Sequence, residues 1–186
     1  MQVMKFIEGL NRALYSKTLY VQGAFGANGT QPNKRRYTNN LAYNAKRADM
    51  INAIDKDTFM FDCVCLGKGI LWGWNGNTSN QPYCGAKYGS NGVPDFGTEQ
   101  MKNYMYDISK EFTPDKMVVG EWLYLKGHAG YYIGVADDGL PYAIECTPKW
   151  KNGVQITAID MGNGVESDRF PTRKWTYHGK MKFIEY

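Results

Sequence analysis

The hydrophobic pattern of this chain changes near residue 116, and that change constrains the fold more than any other feature. Upstream, apolar residues recur at helical spacing in residues 1–17, 39–54 and 63–72, and Thr98 begins a shorter helical segment, "TEQMKNYMYDISK". Downstream, alternating or β-branched runs predict strands in "MVVGEWLYLKG", "HAGYYIGVADDG", "PYAIECTPKW", "GVQITAID" and "KMKFIEY". Helices followed by an antiparallel sheet of about five strands predict an α+β fold.

Length and composition favour one domain. With 186 residues and 43% hydrophobic content, the chain can bury a core of its own, so we expect a single domain over residues 1–186. The 22 basic and 18 acidic residues give a net charge of +4. A nucleic-acid-binding face would cluster the basic side chains, which are scattered here, so nucleic acid is not an expected partner. We expect a monomer.

Residues 1–17 predict an amphipathic helix and not a signal peptide, because they lack a continuous apolar stretch. No segment is apolar over the length that membrane insertion requires. We therefore expect a product made in the cytoplasm without a signal peptide.

The stretch "FMFDCVCLGKGILWGW" places Cys63 at the predicted start of a helix. Backbone N–H groups and the helix dipole favour an anion there, so the position suits a thiolate nucleophile, although a buried, inert cysteine fits the same pattern. The four cysteines are not spaced as a disulfide framework, and we expect free thiols. Zinc sites need paired ligands, and only Cys63 and Cys65 approach that spacing, so we expect no metal or other cofactor. The alternative from another class is a metal-binding or structural module that uses Cys63, Cys65, Cys84, Cys146 and His128.

A thiol nucleophile needs a base, and the chain has two histidines. His128 opens a predicted strand in "LKGHAGYYIGV", where a rigid sheet can aim its ring, whereas His178 lies in the polar segment "WTYHGK". A third group usually orients the imidazole. Glu145 interrupts the apolar run "PYAIECTP", and strand alternation turns it away from Ile144 and Cys146, so it is the candidate, unless it is an outward-facing residue of an exposed strand.

These segments together resemble the NlpC-type cell-wall cysteine peptidases, papain-like enzymes related to CHAP domains. The resembling features are an Asp-Cys helix start, the segment "GEWLYLKGHAGYYIG" and the following "AIECTP". The resemblance implies that Cys63 is the nucleophile, His128 the base and Glu145 the third polar residue, and that the sheet and helices form the papain-like NlpC-type fold. "LYVQGAFG" is similar to a Tyr-x-x-Gly segment of the family, which puts Tyr20 in the cleft beside the thiol.

Further residues are expected at the substrate. Asp62 precedes the nucleophile in the resembling motif, and Trp72 and Trp74 begin a loop rich in glycine, asparagine and aromatic residues. We expect all three side chains to contribute to substrate binding. Loops of this length without regular structure are often functional, although their aromatic residues can also form a minor core.

The resemblance implies that the substrate is bacterial peptidoglycan. The bond would be the D-glutamyl to diamino-acid bond of the stem peptide or the muramoyl-L-alanine amide, and the sequence leaves both open. The segment between Tyr20 and Cys63 resembles that of a subgroup from bacteriophages and prophages of Gram-positive bacteria, which implies an endolysin without a separate cell-wall-binding domain. Such an enzyme would reach the wall through a pore or with a phage particle. An acyltransferase of the same fold stays an alternative.

Overall fold

The computed structural model describes residues 1–186 and has an α+β fold. Its helices are α1 (Val3–Leu14), α2 (Gln31–Asn40), α3 (Ala42–Ala45), α4 (Ala48–Ala53), α5 (Cys63–Leu71) and a 3-10 helix (Thr98–Tyr104). Its strands are β1 (Thr18–Tyr20), β2 (Phe25–Asn28), β3 (Phe59–Phe61), β4 (Met105–Ser109), β5 (Trp122–Leu125), β6 (His128–Val135), β7 (Pro141–Thr147), β8 (Gly153–Ile159), β9 (Thr172–Arg173) and β10 (Tyr177–Met181). None of the helices combines the length and apolar character needed to cross a membrane.

The strands form two sheets, and the larger one exceeds the expected size. It has seven strands in the order β4-β10-β5-β6-β7-β8-β9, in which only β8 and β9 pair in parallel. A second sheet of three strands has the order β1-β3-β2 and is also mixed. The predicted number of about five antiparallel strands was therefore too low. The sequence did not indicate β9, which has only two residues, and β4 lies in a segment that was predicted as a helix.

The predicted helix over residues 39–54 was wrong in its bounds. Helix α2 ends at Asn40, and Leu41 has extended backbone angles (φ −135°, ψ 122°) before the short helices α3 and α4. Asn44 explains part of the break, because its buried side chain bonds both backbone groups of Gln22 and the carbonyl of Tyr37. The hydrogen bonds of Asn44 to residues outside its own helix outweigh the helical spacing of apolar residues in this segment.

Helix α5 is the central helix of the core, and all of its residues from Cys63 to Leu71 are buried. It packs against β6 and β7, whose side chains Tyr131, Ile144 and Cys146 join it in the largest hydrophobic cluster. Gly67 permits the close approach, since a Cβ atom there would lie 2.5 Å from Tyr131 and 2.6 Å from Trp122. The prediction of a helix that begins at Cys63 is confirmed.

The hydroxyl of Tyr131 fastens α5 to β6. It donates to the carbonyl of Cys63 at 2.6 Å and accepts from the N–H of Gly67 at 2.8 Å. These two backbone groups are partners in the i to i+4 pattern of a helix. The hydroxyl therefore bridges the first helical turn and sets its position relative to the strand.

We predict that Tyr131→Phe lowers the free energy of unfolding by about 1–3 kcal/mol, because it leaves two buried backbone groups without their shared partner. Urea unfolding measures the loss. Tyr132→Phe is the matched control: Tyr132 is the next residue of β6 and is also buried, and its hydroxyl makes no hydrogen bond to the protein. Equal effects of the two substitutions would contradict the bridging role.

Candidate active site

Asp62 caps the helix that carries Cys63. Its Oδ1 accepts from the N–H of Cys65 at 2.6 Å, and its Oδ2 accepts from the N–H of Gly23 at 2.7 Å. Both oxygens are thus held by backbone groups, as expected for an aspartate at a helix N-cap. The carboxylate thereby joins α5 to the turn at Gly23. The assignment of Asp62 to substrate binding stays a prediction.

Cys63 lies where the start of α5 meets the start of β6. Its side chain is 5% exposed, and the backbone N–H groups of Ala129, Val64 and Cys63 itself favour the thiolate. Burial and the negative charge of Asp62 act in the opposite direction and raise the pKa of Cys63 to about 12. The resting thiol is therefore protonated at neutral pH, because burial and Asp62 outweigh the helix start that favours a thiolate.

His128 directly precedes Ala129, the residue whose N–H faces the sulfur of Cys63. Its side chain is largely buried, and Nε2 lies 2.5 Å from Oε2 of Glu145. Nδ1 makes no hydrogen bond within the protein, so this nitrogen remains able to exchange a proton. The structure thus brings the start of β6 to the thiol at the start of α5.

A tryptophan holds the imidazole from one side. The ring of Trp175 is parallel to that of His128, with centroids 5.6 Å apart and an interplanar angle of 9°. Gly130 makes room for it, because a Cβ atom there would lie 2.5 Å from Trp175. The stacking restricts rotation of the imidazole while its edge stays bonded to Glu145.

Glu145 is completely buried at 0% exposure and is surrounded by donors. Besides His128, it accepts from the hydroxyl of Thr157 at 2.7 Å and from Arg173 through Nε at 2.9 Å and Nη2 at 2.6 Å. Burial opposes ionisation, but the hydrogen bonds from His128 and Arg173 outweigh it and lower the pKa of Glu145 below 4.5. The carboxylate is therefore ionised at neutral pH.

Two of these partners had no clear signal in the sequence. Thr157 follows from strand pairing, since it lies opposite Ala143 on the face that also carries Glu145. Arg173 belongs to a two-residue strand and carries no recognisable motif. Its place at the site depends on the path of the chain after β8, which no local pattern describes.

Tyr20 is the last residue of β1 and is partly buried. Burial, followed by the electrostatic effects of Cys63 and Asp62, raises the pKa of Tyr20. The guanidinium of Arg47 lies 5.6 Å from its ring and donates to its carbonyl at 2.7 Å. The placement of the Tyr20 hydroxyl in the cleft beside the thiol stays a prediction.

The two tryptophans after α5 have different positions. Trp72 borders a cleft of about 350 Å³ whose lining also includes Asp62, Val64 and Cys65. Trp74 is only 3% exposed and donates through Nε1 to the carbonyl of Gly26. Its ring packs in the core, against Phe59 and Phe61. The prediction that Trp74 contacts substrate is corrected for this reason.

The other histidine and the remaining cysteines lie apart from this arrangement. His178 is buried with Nδ1 2.6 Å from Oε2 of Glu121 and Nε2 3.1 Å from the carbonyl of Glu111. All four cysteines are free thiols, as expected. No group of three or more His, Cys, Asp or Glu side chains is arranged to hold a metal ion.

No family model, curated protein or solved structure matches this chain. The resemblance to the NlpC-type peptidases therefore rests on the motifs alone, and the chemistry of the site rests on its geometry.

We predict that iodoacetamide alkylates Cys63 slowly at neutral pH and faster as the pH rises, because burial and Asp62 hold the thiol protonated. Asp62→Asn should speed labelling at any one pH, since it removes the negative charge and keeps an oxygen for the N–H of Cys65. Mass-spectrometric peptide mapping measures the rate. Asp57→Asn, which removes an exposed carboxylate elsewhere, should leave the rate unchanged. Identical rates in wild type and Asp62→Asn would contradict the electrostatic cause.

Proposed function

We propose that this protein is a cysteine hydrolase with an NlpC-type, papain-like fold that cleaves an amide bond of bacterial peptidoglycan. One observation supports this most: the thiol of Cys63 at a helix start faces the strand residue next to His128, whose other ring edge is bonded to the buried Glu145. A nucleophile, a base and an orienting acid in that order are the parts of a catalytic triad.

The reaction begins with the neutral thiol. Nδ1 of His128 takes the proton from Sγ of Cys63 as the sulfur attacks the amide carbonyl carbon, and the carbonyl π electrons move to the oxygen. No backbone carbonyl accepts from the N–H groups of Cys63 and Val64. These groups face the sulfur in the resting site and stabilise the oxyanion once the sulfur has attacked. The imidazolium then protonates the leaving amine as the C–N bond breaks, which gives a thioester.

Water completes the cycle. His128 removes a proton from a water molecule, the water oxygen attacks the thioester carbonyl, and the thiol leaves with a proton from the imidazolium. Glu145 accepts the Nε2 hydrogen throughout, which keeps Nδ1 available for proton transfer. The high thiol pKa matters here, because it makes proton removal part of the attack and not a step completed in the resting enzyme.

We propose peptidoglycan as the substrate because the sequence motifs resemble those of the NlpC-type peptidases. Both the D-glutamyl to diamino-acid bond and the muramoyl-L-alanine bond suit the amide chemistry of the site. The net charge of +4 would favour binding to anionic wall polymers. We further propose a bacteriophage or prophage endolysin that reaches the wall through a pore or with a phage particle. A transferase of the same fold would differ only in the acceptor that attacks the thioester.

We predict that Cys63→Ala abolishes peptidoglycan cleavage without unfolding the protein, because no other group can form the thioester. The measurement is mass spectrometry of muropeptides released from purified sacculi, which also identifies the bond. Cys65→Ala is the matched control, two residues along α5 and equally buried, and should retain most activity. An active Cys63→Ala protein would overturn the mechanism.

We also predict that Glu145→Ala lowers turnover by about 10-fold to 1,000-fold, less than the complete loss at Cys63. Glu145→Gln should retain more activity than Glu145→Ala, since its amide oxygen can still accept from Nε2 of His128. Initial rates of muropeptide release, with circular dichroism to verify folding, measure both. Wild-type rates in both variants would show that the orienting group lies elsewhere.

A further inference from the structure

Arg173 makes the most extensive contact with the candidate triad of any residue outside it. Its Nε and Nη2 bond the two different carboxylate oxygens of Glu145, a forked arrangement that only arginine provides. Its side chain is 14% exposed although it carries a charge. The guanidinium lies 4.7 Å from the ring of Trp150 and 5.8 Å from that of Trp175. The contact is thus shielded from water on its outer side.

We infer that Arg173 is a positioning residue, whose guanidinium holds the Glu145 carboxylate ionised and oriented so that one oxygen receives the Nε2 hydrogen of His128. This inference rests on the proposed function. Arg173 makes no hydrogen bond to Cys63 or His128, and its hydrogen bonds to the site go to Glu145, so we expect it to act through Glu145.

Burial makes such a partner necessary. A carboxyl group at 0% exposure favours its neutral form, because a charge without solvent is costly. A protonated Glu145 would donate a hydrogen to Nε2 of His128 instead of accepting one. The ring hydrogen would then be on Nδ1, and that nitrogen could no longer act as the base proposed for the thiol. Arg173 prevents this by supplying a positive charge and two donors.

The backbone of Arg173 is fixed by pairing with β8. Ile159 lies opposite Arg173 in the parallel pair, and the N–H of Asp160 donates to the Arg173 carbonyl at 2.9 Å. Two residues later the same segment supplies Trp175, which stacks on His128. The segment from 172 to 175 therefore positions both halves of the His128–Glu145 pair.

The groups that act on the Glu145 charge are few. His128 faces it from β6, Arg173 from β9 and the Thr157 hydroxyl from β8. On β7 itself, the thiol of Cys146 is close enough for its own pKa to be affected by Glu145. Of these, only Arg173 carries a fixed positive charge at every working pH.

Arg173→Gln should reduce kcat by about 10-fold to 100-fold with little change in KM, because the residue orients the base and binds no substrate. It should also move the acid limb of the kcat profile to higher pH. Glu145 is ionised above its lowered pKa and loses its charge as the pH falls, so removal of Arg173 brings that loss at a higher pH. Arg173→Lys should keep the acid limb near its wild-type position and still lower kcat, since it retains the charge but not the fork.

Two controls separate positioning from folding. Arg169→Gln removes a neighbouring arginine that stacks on Phe170 and makes no contact with Glu145, and it should have wild-type kcat. In a Glu145→Gln background, Arg173→Gln should add no further loss of kcat, because its route of action is already gone. The inference would be overturned if the losses of kcat from Glu145→Gln and Arg173→Gln multiplied in the double variant. It would also be overturned if Arg173→Gln lowered kcat without shifting the acid limb, or if Arg173→Gln behaved as wild type.

A measurement independent of activity distinguishes failure of this inference from failure of the proposed function. Carbon-13 NMR of the Glu145 carboxyl, assigned by its loss in Glu145→Gln, should show titration at higher pH in Arg173→Gln than in wild type. A wild-type protein inactive on peptidoglycan would refute the proposed function, and the NMR shift would still decide whether Arg173 holds the carboxylate. An unchanged titration would refute the role of Arg173 even in an active enzyme.

Discussion

The bridge formed by the Tyr131 hydroxyl is the contact on which the rest of the candidate site depends. It joins the carbonyl of Cys63 to β6, the strand that begins at His128. Cys63 and His128 lie on different elements, and a hydrogen bond between those elements is directional, whereas hydrophobic packing is not. The bridge therefore fixes the register between helix and strand that brings the thiol to Ala129.

Asp62 and Glu145 are both buried, but their pKa values shift in opposite directions because their partners differ. Asp62 is held by two backbone N–H groups, and burial still raises its pKa. Glu145 is buried as deeply, yet its pKa is lowered, because Arg173 and His128 surround it. The two carboxyl groups thus act on different partners: burial and Asp62 together raise the pKa of the Cys63 thiol, whereas Glu145 is hydrogen-bonded to the His128 imidazole. The proposed chemistry requires both, since the base must remain free until the substrate arrives.

A buried charge is costly unless it is paired, and the partners of the Glu145 carboxylate all belong to one sheet. The donors come from β6, β8 and β9, the strands on either side of β7 and the one beyond. The long sheet therefore does more than support α5. Its far edge, which five strands would have lacked, supplies the arginine.

The sequence by itself determined the features that depend on neighbours along the chain. The helical period placed Cys63 at the start of α5, and strand alternation put Glu145 on the face away from Ile144 and Cys146. Tertiary structure alone decided the features that join distant segments: Arg173 at Glu145, 28 residues away, Trp175 on His128, and Trp74 in the core instead of a cleft. It also broke the pattern over 39–54, where the Asn44 side chain bonds Gln22. The physical reason is the same in each case, because periodicity reports which side of an element is apolar, whereas a buried charge or amide is placed by partners that no local pattern contains.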